Sequence, residues 1–264
     1  MKRREFLRTS SIAGGAALAS LAGAEGLAQE PPREFYELRT YEMPTGARKA
    51  PLNDYLEKAF IPAANRLGIK PVGVFTVVSG SNALNLFVLV PYPSLDQLVS
   101  MPARLASDAD YQKAAAPYLS ASIDTPAYTR FESTLLHAFR HVPRVRIPAE
   151  TPGSRPRLFE LRIYESHSEA AALKKIEMFN EGGEIGIFDR VGLRSVFFGQ
   201  TLIGRRQPNL VYMTVHQDMV AREKTWEDFR NSPDWKALSS NPAYANTVSA
   251  TTVVFLRPAA YSQI

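Results

Sequence analysis

The sequence predicts an α+β fold in which two tandem ferredoxin-like β-α-β-β-α-β repeats close into one pseudo-twofold barrel. A strand motif occurs twice, at residues 36–41 (YELRTY) and 159–164 (FELRIY). The helix and strand patterns that follow each copy come in the same order, which indicates duplicated modules. A four-stranded sheet with both helices on one face leaves the other face bare, and two such sheets can cover each other.

The repeated motif places an acid, a base and a phenol on one face of each strand, because side chains alternate along a strand. These residues are Glu37, Arg39 and Tyr41, then Glu160, Arg162 and Tyr164. We expect the opposite, apolar face to pack on helices. We expect the charged faces of both halves to turn inward around a shared interior, as the polar lining of a space between sheet and helices. The alternative is that the Glu and Arg of each strand form a salt bridge with each other on a solvent-exposed face of the sheet.

The first repeat is predicted over residues 33–140. Apolar spacing predicts a helix over 51–67 that is kinked or divided at Pro62 and closed by Gly68. Ser94 is the expected cap of a second helix, which runs towards Tyr118 with a break at Pro102. Strands are expected at 72–78, 84–90 and 128–139, with a hairpin turn at 79–82 between the first two.

A proline-rich linker over residues 141–156 separates the repeats, and the second repeat is predicted over 157–258. Its helices are expected at 168–180, at 185–192 and through Trp226 and Phe229. Its strands are expected at 157–165, 193–198, 210–216 and 248–256, with a loop at 201–208 between the second and the third.

Composition excludes several classes of site. The 264 residues include no cysteine, which excludes disulfides, thiolate catalysis and cysteine-ligated metals. The net charge of +5 is small and scattered, so nucleic acid is not an expected partner. His137, His141 and His167 lack metal-ligand spacing, and we expect no metal site.

Residues 1–28 are interpreted as an export signal. Arg3-Arg4 is followed by Phe6-Leu7 and a short Ala/Gly-rich run, and this pattern resembles a twin-arginine (Tat) signal peptide. Cleavage is expected after Ala28, with Ala24 as the alternative. The sequence thus predicts a periplasmic or secreted protein with no stable membrane span after processing.

Both motif copies, FYELRTY and LFELRIY, resemble the opening strand of the NIPSNAP family. The run His216, Arg222, Trp226-x-x-Phe229 and Ser-Pro-Asp-Trp235 is similar to a second pattern of that family. The resemblance implies the dimeric α/β-barrel superfamily, which includes cofactor-free monooxygenases, haem-degrading enzymes and stress-response proteins. The first half departs from the pattern, because Tyr92 replaces the histidine and neither tryptophan is present, so we expect two non-equivalent halves.

The preferred functional hypothesis is binding of a small, largely apolar molecule, with a cofactor-independent monooxygenase-like activity. Arg162, Tyr164 and His216 would handle charge and protons, with Arg39 and Tyr41 as their counterparts. The alternatives are a non-enzymatic structural or partner-binding module of the cell envelope and a haem-binding protein with His216 as axial ligand. The pattern identifies no cofactor. It predicts a pseudo-dimer within one chain and leaves further homo-oligomerisation open.

Overall fold

The computed structural model describes residues 32–43, 50–78, 85–147 and 157–264. Its strands are β1 (Phe35–Glu42), β2 (Gly73–Val77), β3 (Leu86–Tyr92), β4 (Arg130–Ala138), β5 (Leu158–Glu165), β6 (Arg194–Ile203), β7 (Asn209–His216) and β8 (Ala250–Pro258). They form a closed antiparallel barrel in the order β1-β3-β2-β8-β5-β7-β6-β4. The predicted fold class is therefore confirmed.

Helices cover the outside of each half of the barrel. They are α1 (Ala50–Tyr55), α2 (Ile61–Arg66), α3 (Leu95–Ser107), α4 (Ala109–Leu119), α5 (Glu169–Asn180), α6 (Glu184–Arg190), α7 (Met219–Asn231) and α8 (Pro233–Ser239). Within the described ranges, none of the helices has the length and apolar character needed to cross a bilayer.

The segment β3–α3 of the first half aligns with the segment β7–α7 of the second half without insertions. Phe35 pairs with Tyr92 across the first sheet, and Leu158 pairs with His216 across the second. Helices α3 and α7 each contain 13 residues and begin three positions after Tyr92 and His216, respectively. Leu98 of α3 thus corresponds to Arg222 of α7, and Pro102 corresponds to Trp226.

The interior of the barrel is apolar. Tyr36 and Leu38 of β1 meet Phe159 and Leu161 of β5 in one buried cluster together with Phe197. The expectation that this face packs on the helices is wrong, and so is the expectation that the charged faces enclose a shared interior. The motif's charged face instead lies beneath the helices of its own half. Alternation shows which side chains share a face, but it does not show which layer covers that face.

Several boundaries also differ from the prediction. Pro102 lies inside α3, and the break falls at Asp108, whose side chain accepts the Tyr111 backbone N–H at 2.9 Å and caps α4. A π-helical turn, Leu56–Phe60, joins α1 to α2 just before Pro62, which has no N–H to donate. β6 extends through part of the predicted loop because it pairs with β4 as far as Ile203.

The described part of the predicted linker packs against the barrel. The Val145 backbone N–H donates to the Glu34 carboxylate at 2.9 Å, and the Arg146 N–H donates to the Val196 carbonyl at 2.8 Å. The rest of the linker, the predicted hairpin turn at 79–82 and the predicted export signal at 1–28 lie outside the described residues.

Candidate functional site

A cavity of about 410 Å³ lies between the sheet and helices α3 and α4 in the first half of the chain. Apolar side chains make most of its wall, among them Phe60, Leu98, Met101, Pro102, Leu105 and Leu119. Pro102, Ala106 and Leu119 are exposed, so the cavity opens to solvent between the two helices.

One end of this cavity is polar. Arg39 donates from Nη2 to Glu37 Oε2 at 2.7 Å, and the Tyr92 hydroxyl donates to the same oxygen at 3.1 Å. Ser133 donates to Glu37 Oε1 at 2.9 Å. Burial acts to raise the pKa of Glu37, but the charge of Arg39 and these hydrogen bonds outweigh it and lower the pKa. Glu37 is therefore an ionised carboxylate whose charge Arg39 neutralises.

The aromatic groups around this polar end are neutral. Burial raises the pKa of Tyr92 and of Tyr55. The Tyr55 and Tyr111 hydroxyls lie 3.1 Å apart, so one donates to the other and the second hydrogen remains available. The Arg39 guanidinium lies 4.5 Å from the centre of the Phe60 ring, and its buried Nε has no hydrogen-bond partner among the described residues.

Glu160 occupies the same strand position in the second half, and it is fully buried. Arg162 donates to its Oε1 at 2.8 Å. Arg222 adds a two-pronged contact, with Nη2 at 2.8 Å from Oε1 and Nε at 3.0 Å from Oε2. The Trp226 indole N–H donates to Oε2 at 2.8 Å. These contacts satisfy all four lone-pair positions of a carboxylate.

His216 completes this cluster. Its Nε2 lies 3.0 Å from the Thr214 hydroxyl and 3.6 Å from Glu160 Oε2. Burial acts to raise the pKa of Glu160, but the neighbouring His216, the two arginines and the Trp226 N–H together lower it to about 2. Because the Nε2 edge faces these two partners in a buried site, the geometry does not fit an axial haem ligand.

Aromatic rings and a second ion pair fill the surrounding space. The Trp226 ring centre lies 4.4 Å from the Arg162 guanidinium carbon, so the indole covers the cation. Tyr212 donates to the Tyr164 hydroxyl at 2.8 Å. Lys175 and Glu184 pair at 2.7 Å with side chains only 6% and 3% exposed. The polar groups of this half are thus largely satisfied by one another.

The predicted site residues are split between these two places. Arg39 lines the cavity, whereas Tyr41 is buried against Tyr128 and Phe131 and does not line it. Arg162 and His216 meet at Glu160, Tyr164 contacts Tyr212, and none of these three predicted residues lines the cavity. Among the described residues there is no cluster of three His, Asp or Glu side chains that could hold a metal ion.

The prediction missed the helical wall of the cavity and the part played by Tyr92. The signal was present in the sequence, because both tryptophans fall in the second half. The first half therefore has smaller residues at matching helical positions, and those positions are where the cavity forms.

The NIPSNAP family model matches residues 36–126 and 159–263. The chain belongs to the NIPSNAP family. The two matched segments fall on the two halves of the barrel, and both contain the strand motif. None of the curated proteins matches the sequence.

Solved structures show the same fold at low sequence identity. A candidate monooxygenase from Lactobacillus acidophilus is 10% identical, with a TM-score of 0.57 over 86% of this chain and 94% of its own. A candidate monooxygenase from Fusobacterium nucleatum, also 10% identical, has a TM-score of 0.54 over 86% of this chain and 92% of its own. A candidate chlorite dismutase is 12% identical, with a TM-score of 0.50 over 88% and 97%.

Proposed function

We propose that this NIPSNAP protein binds a small, largely apolar molecule in the first-half cavity. The observation that carries the proposal is the cavity itself, about 410 Å³ with a mainly apolar wall and one polar end. Small-molecule sites typically combine an apolar pocket of this size with a few convergent polar groups that orient the ligand.

The charges at the polar end favour an uncharged ligand. Glu37 and Arg39 form a salt bridge of 2.7 Å, and their side chains are only 12% and 13% exposed. The pair has no net charge, so it offers polar contacts without attracting an ion of either sign. Tyr55, Tyr92 and Tyr111 add hydroxyl groups to the lining.

The same geometry supports binding more strongly than base-driven oxidation. A monooxygenase-like step of the kind predicted from the sequence begins when a base deprotonates the bound molecule. Glu37 is a weak base because its pKa is lowered, and Tyr92 is neutral because its pKa is raised. His216 is only 6% exposed and contacts Glu160 in the other half. We therefore propose a carrier or sensor role first, with oxidation as the second candidate.

Placement outside the cytoplasm is also part of the proposal. It rests on the Arg3-Arg4 motif and the apolar run that follows it. Fractionation of cells that express the full chain tests it. Wild type should reach the periplasm or medium in a shorter form, and an Arg3→Lys, Arg4→Lys variant should stay inside at full length. Equal export of both would contradict the proposal.

A fluorescent apolar probe tests the binding site. N-phenyl-1-naphthylamine is neutral and brightens in apolar surroundings, so saturable enhancement with one site per chain is expected. Pro102→Trp should reduce probe affinity at least tenfold, because it places in the cavity the residue that fills the matching space in the second half. Ala103→Trp is the matched control, since Ala103 is exposed on the same helix and does not line the cavity.

Retained binding in Pro102→Trp, or equal loss in Ala103→Trp, would contradict this location. Circular dichroism on both variants establishes that each is folded. The comparison therefore reports on the cavity and not on general damage to α3.

A further inference from the structure

We infer that the ligand is a planar aromatic molecule that carries an N–H or O–H donor on its ring, and that this donor binds Glu37. The inference rests on the proposed function and adds the chemical class of the ligand. In the second half, the side chain of Trp226 is such a group, and its ring N–H donates to Glu160.

Glu37 and Glu160 differ in the number of hydrogen bonds that they accept from the protein. Glu160 accepts four hydrogen bonds, of which three come from Arg222 and Trp226. Among the residues that the structure describes, Glu37 accepts three, from Arg39, Tyr92 and Ser133. A carboxylate has about four acceptor positions, so Glu37 retains one. Glu37 is among the residues that line the cavity, so a molecule bound in the cavity lies next to this carboxylate.

The donors of the second half have counterparts in the first half that cannot donate a hydrogen bond. Arg222 and Trp226 correspond to Leu98 and Pro102, which have no side-chain donor. Both Leu98 and Pro102 line the cavity. The space between these residues and Glu37 is therefore the space that protein donors fill in the second half.

The group that fills this space in the second half is a flat aromatic ring. Trp226 combines a flat ring, 4.4 Å from the Arg162 guanidinium, with a ring N–H that donates to Glu160 at 2.8 Å. The first half presents the same two partners, a guanidinium at Arg39 and a carboxylate at Glu37, on the same face of the matching strand. Because the Phe60 ring already lies 4.5 Å from the Arg39 guanidinium, the contact of Trp226 that the first half lacks is the hydrogen bond from a ring donor to the carboxylate. A flat aromatic ligand with a ring donor would supply it.

The same contacts disfavour other small apolar molecules. A carboxylic acid would place a second negative charge beside Glu37. An aromatic molecule without a donor would stack equally well, but it would displace water from Glu37 without replacing its hydrogen bond. We therefore expect the cavity to bind an aromatic ring with an N–H or O–H donor more tightly than the same ring without that donor.

Indole and 1-methylindole test this discrimination, because they differ only at the ring nitrogen. Each is titrated against wild-type protein that carries bound N-phenyl-1-naphthylamine, and displacement gives its affinity. Indole should bind about tenfold more tightly than 1-methylindole, since a hydrogen bond to a charged group contributes more than a neutral one. 2-Naphthol against 2-methoxynaphthalene repeats the comparison with an O–H donor.

A variant links the preference to Glu37. Leu98→Arg introduces the counterpart of Arg222, whose guanidinium should occupy the free position on Glu37 and reduce the indole preference to less than twofold. Leu98→Met is the control, and it should keep the preference because it adds no donor. Circular dichroism establishes that both variants are folded.

The outcomes separate the inference from the proposed function. Equal binding of both members of each pair, or a preference that persists in Leu98→Arg, would overturn the inference while the cavity remains a binding site. Binding of the fluorescent probe without displacement by any of the four compounds would also overturn it. If the probe itself does not bind, the proposed function fails and the inference fails with it.

Discussion

The two halves of the barrel begin with the same Glu-x-Arg-x-Tyr strand and use its polar face differently. In the first half, Glu37 and Arg39 form one end of an open cavity. In the second half, Glu160 is completely buried under Arg222 and Trp226. The strands are nearly identical, so the residues of the covering helix, α3 or α7, determine whether the space beside the motif's polar face is open or filled.

This difference shows how one sheet surface can serve either stability or binding. Buried carboxylates are costly unless charged and hydrogen-bonding partners surround them. Glu160 obtains four hydrogen-bond donors within the chain, whereas Glu37 has three among the residues that the structure describes. We therefore expect substitutions in the second half to affect stability, and matching substitutions in the first half to affect binding.

The largest expected effect is that of Trp226→Ala. Loss of a buried tryptophan costs about 3–5 kcal/mol, and Glu160 and Arg162 would lose a donor and a stacking partner as well. Pro102→Ala, at the matching position, should not lower the free energy of unfolding, because it removes a proline from a helix interior and leaves no buried partner unpaired. Urea unfolding followed by circular dichroism measures both, and similar losses would contradict the assignment of different roles.

Glu160→Gln should cost about 3–4 kcal/mol, because it leaves Arg162 and Arg222 close together without their shared counter-charge. The amide NH2 that replaces one carboxylate oxygen would also face hydrogen-bond donors, because both oxygens of Glu160 accept hydrogen bonds in the wild type. Glu37→Gln should cost about 1–2 kcal/mol, since only Arg39 loses its partner and the cavity admits water. The same unfolding measurement applies, and a larger cost for Glu37→Gln would refute the comparison.

Acid should weaken the Glu160 cluster in a defined range. The pKa of Glu160 is about 2 in the folded protein, against an ordinary value of 4.5. The resulting stabilisation, about 3 kcal/mol, is fully present above pH 4.5 and is lost as the pH falls towards 2. Unfolding free energies measured across this range should fall more steeply for wild type than for Glu160→Gln. Parallel profiles would show that Glu160 does not carry the effect.

The smallest expected effect is an increase in the free energy of unfolding. Pro102→Trp should raise the free energy of unfolding by about 1 kcal/mol, because it fills a cavity and removes a proline from a helix interior. Thermal unfolding in the absence of ligand measures the change. Ala103→Trp, outside the cavity, should give no gain, and a decrease for Pro102→Trp would show that the first-half space does not accept an indole.

Local sequence signals predicted much of the fold. Ser94 and Ser168 cap α3 and α5 as expected, and Gly68 has the positive φ angle that ends a helix. These features depend on short-range chemistry. Pro102 did not break its helix, and the break falls instead at Asp108, whose side chain caps the next helix.

The layer covering each strand face could not be predicted in the same way. Both faces of β1 are largely buried, one inside the barrel and one under helices, so alternation alone does not assign them. The polar end of the site followed from the motif, which identified Arg39 and its partner. The cavity did not, since it results from the small size of Leu98 and Pro102 relative to Arg222 and Trp226.

A crystal structure determined under xenon pressure would test the central claim most directly, because xenon marks apolar cavities without requiring knowledge of the ligand. We predict xenon density in the first half, between α3 and the sheet beside Leu98 and Leu105, and none in contact with Trp226. Xenon beside Trp226, or an empty first half, would contradict the account.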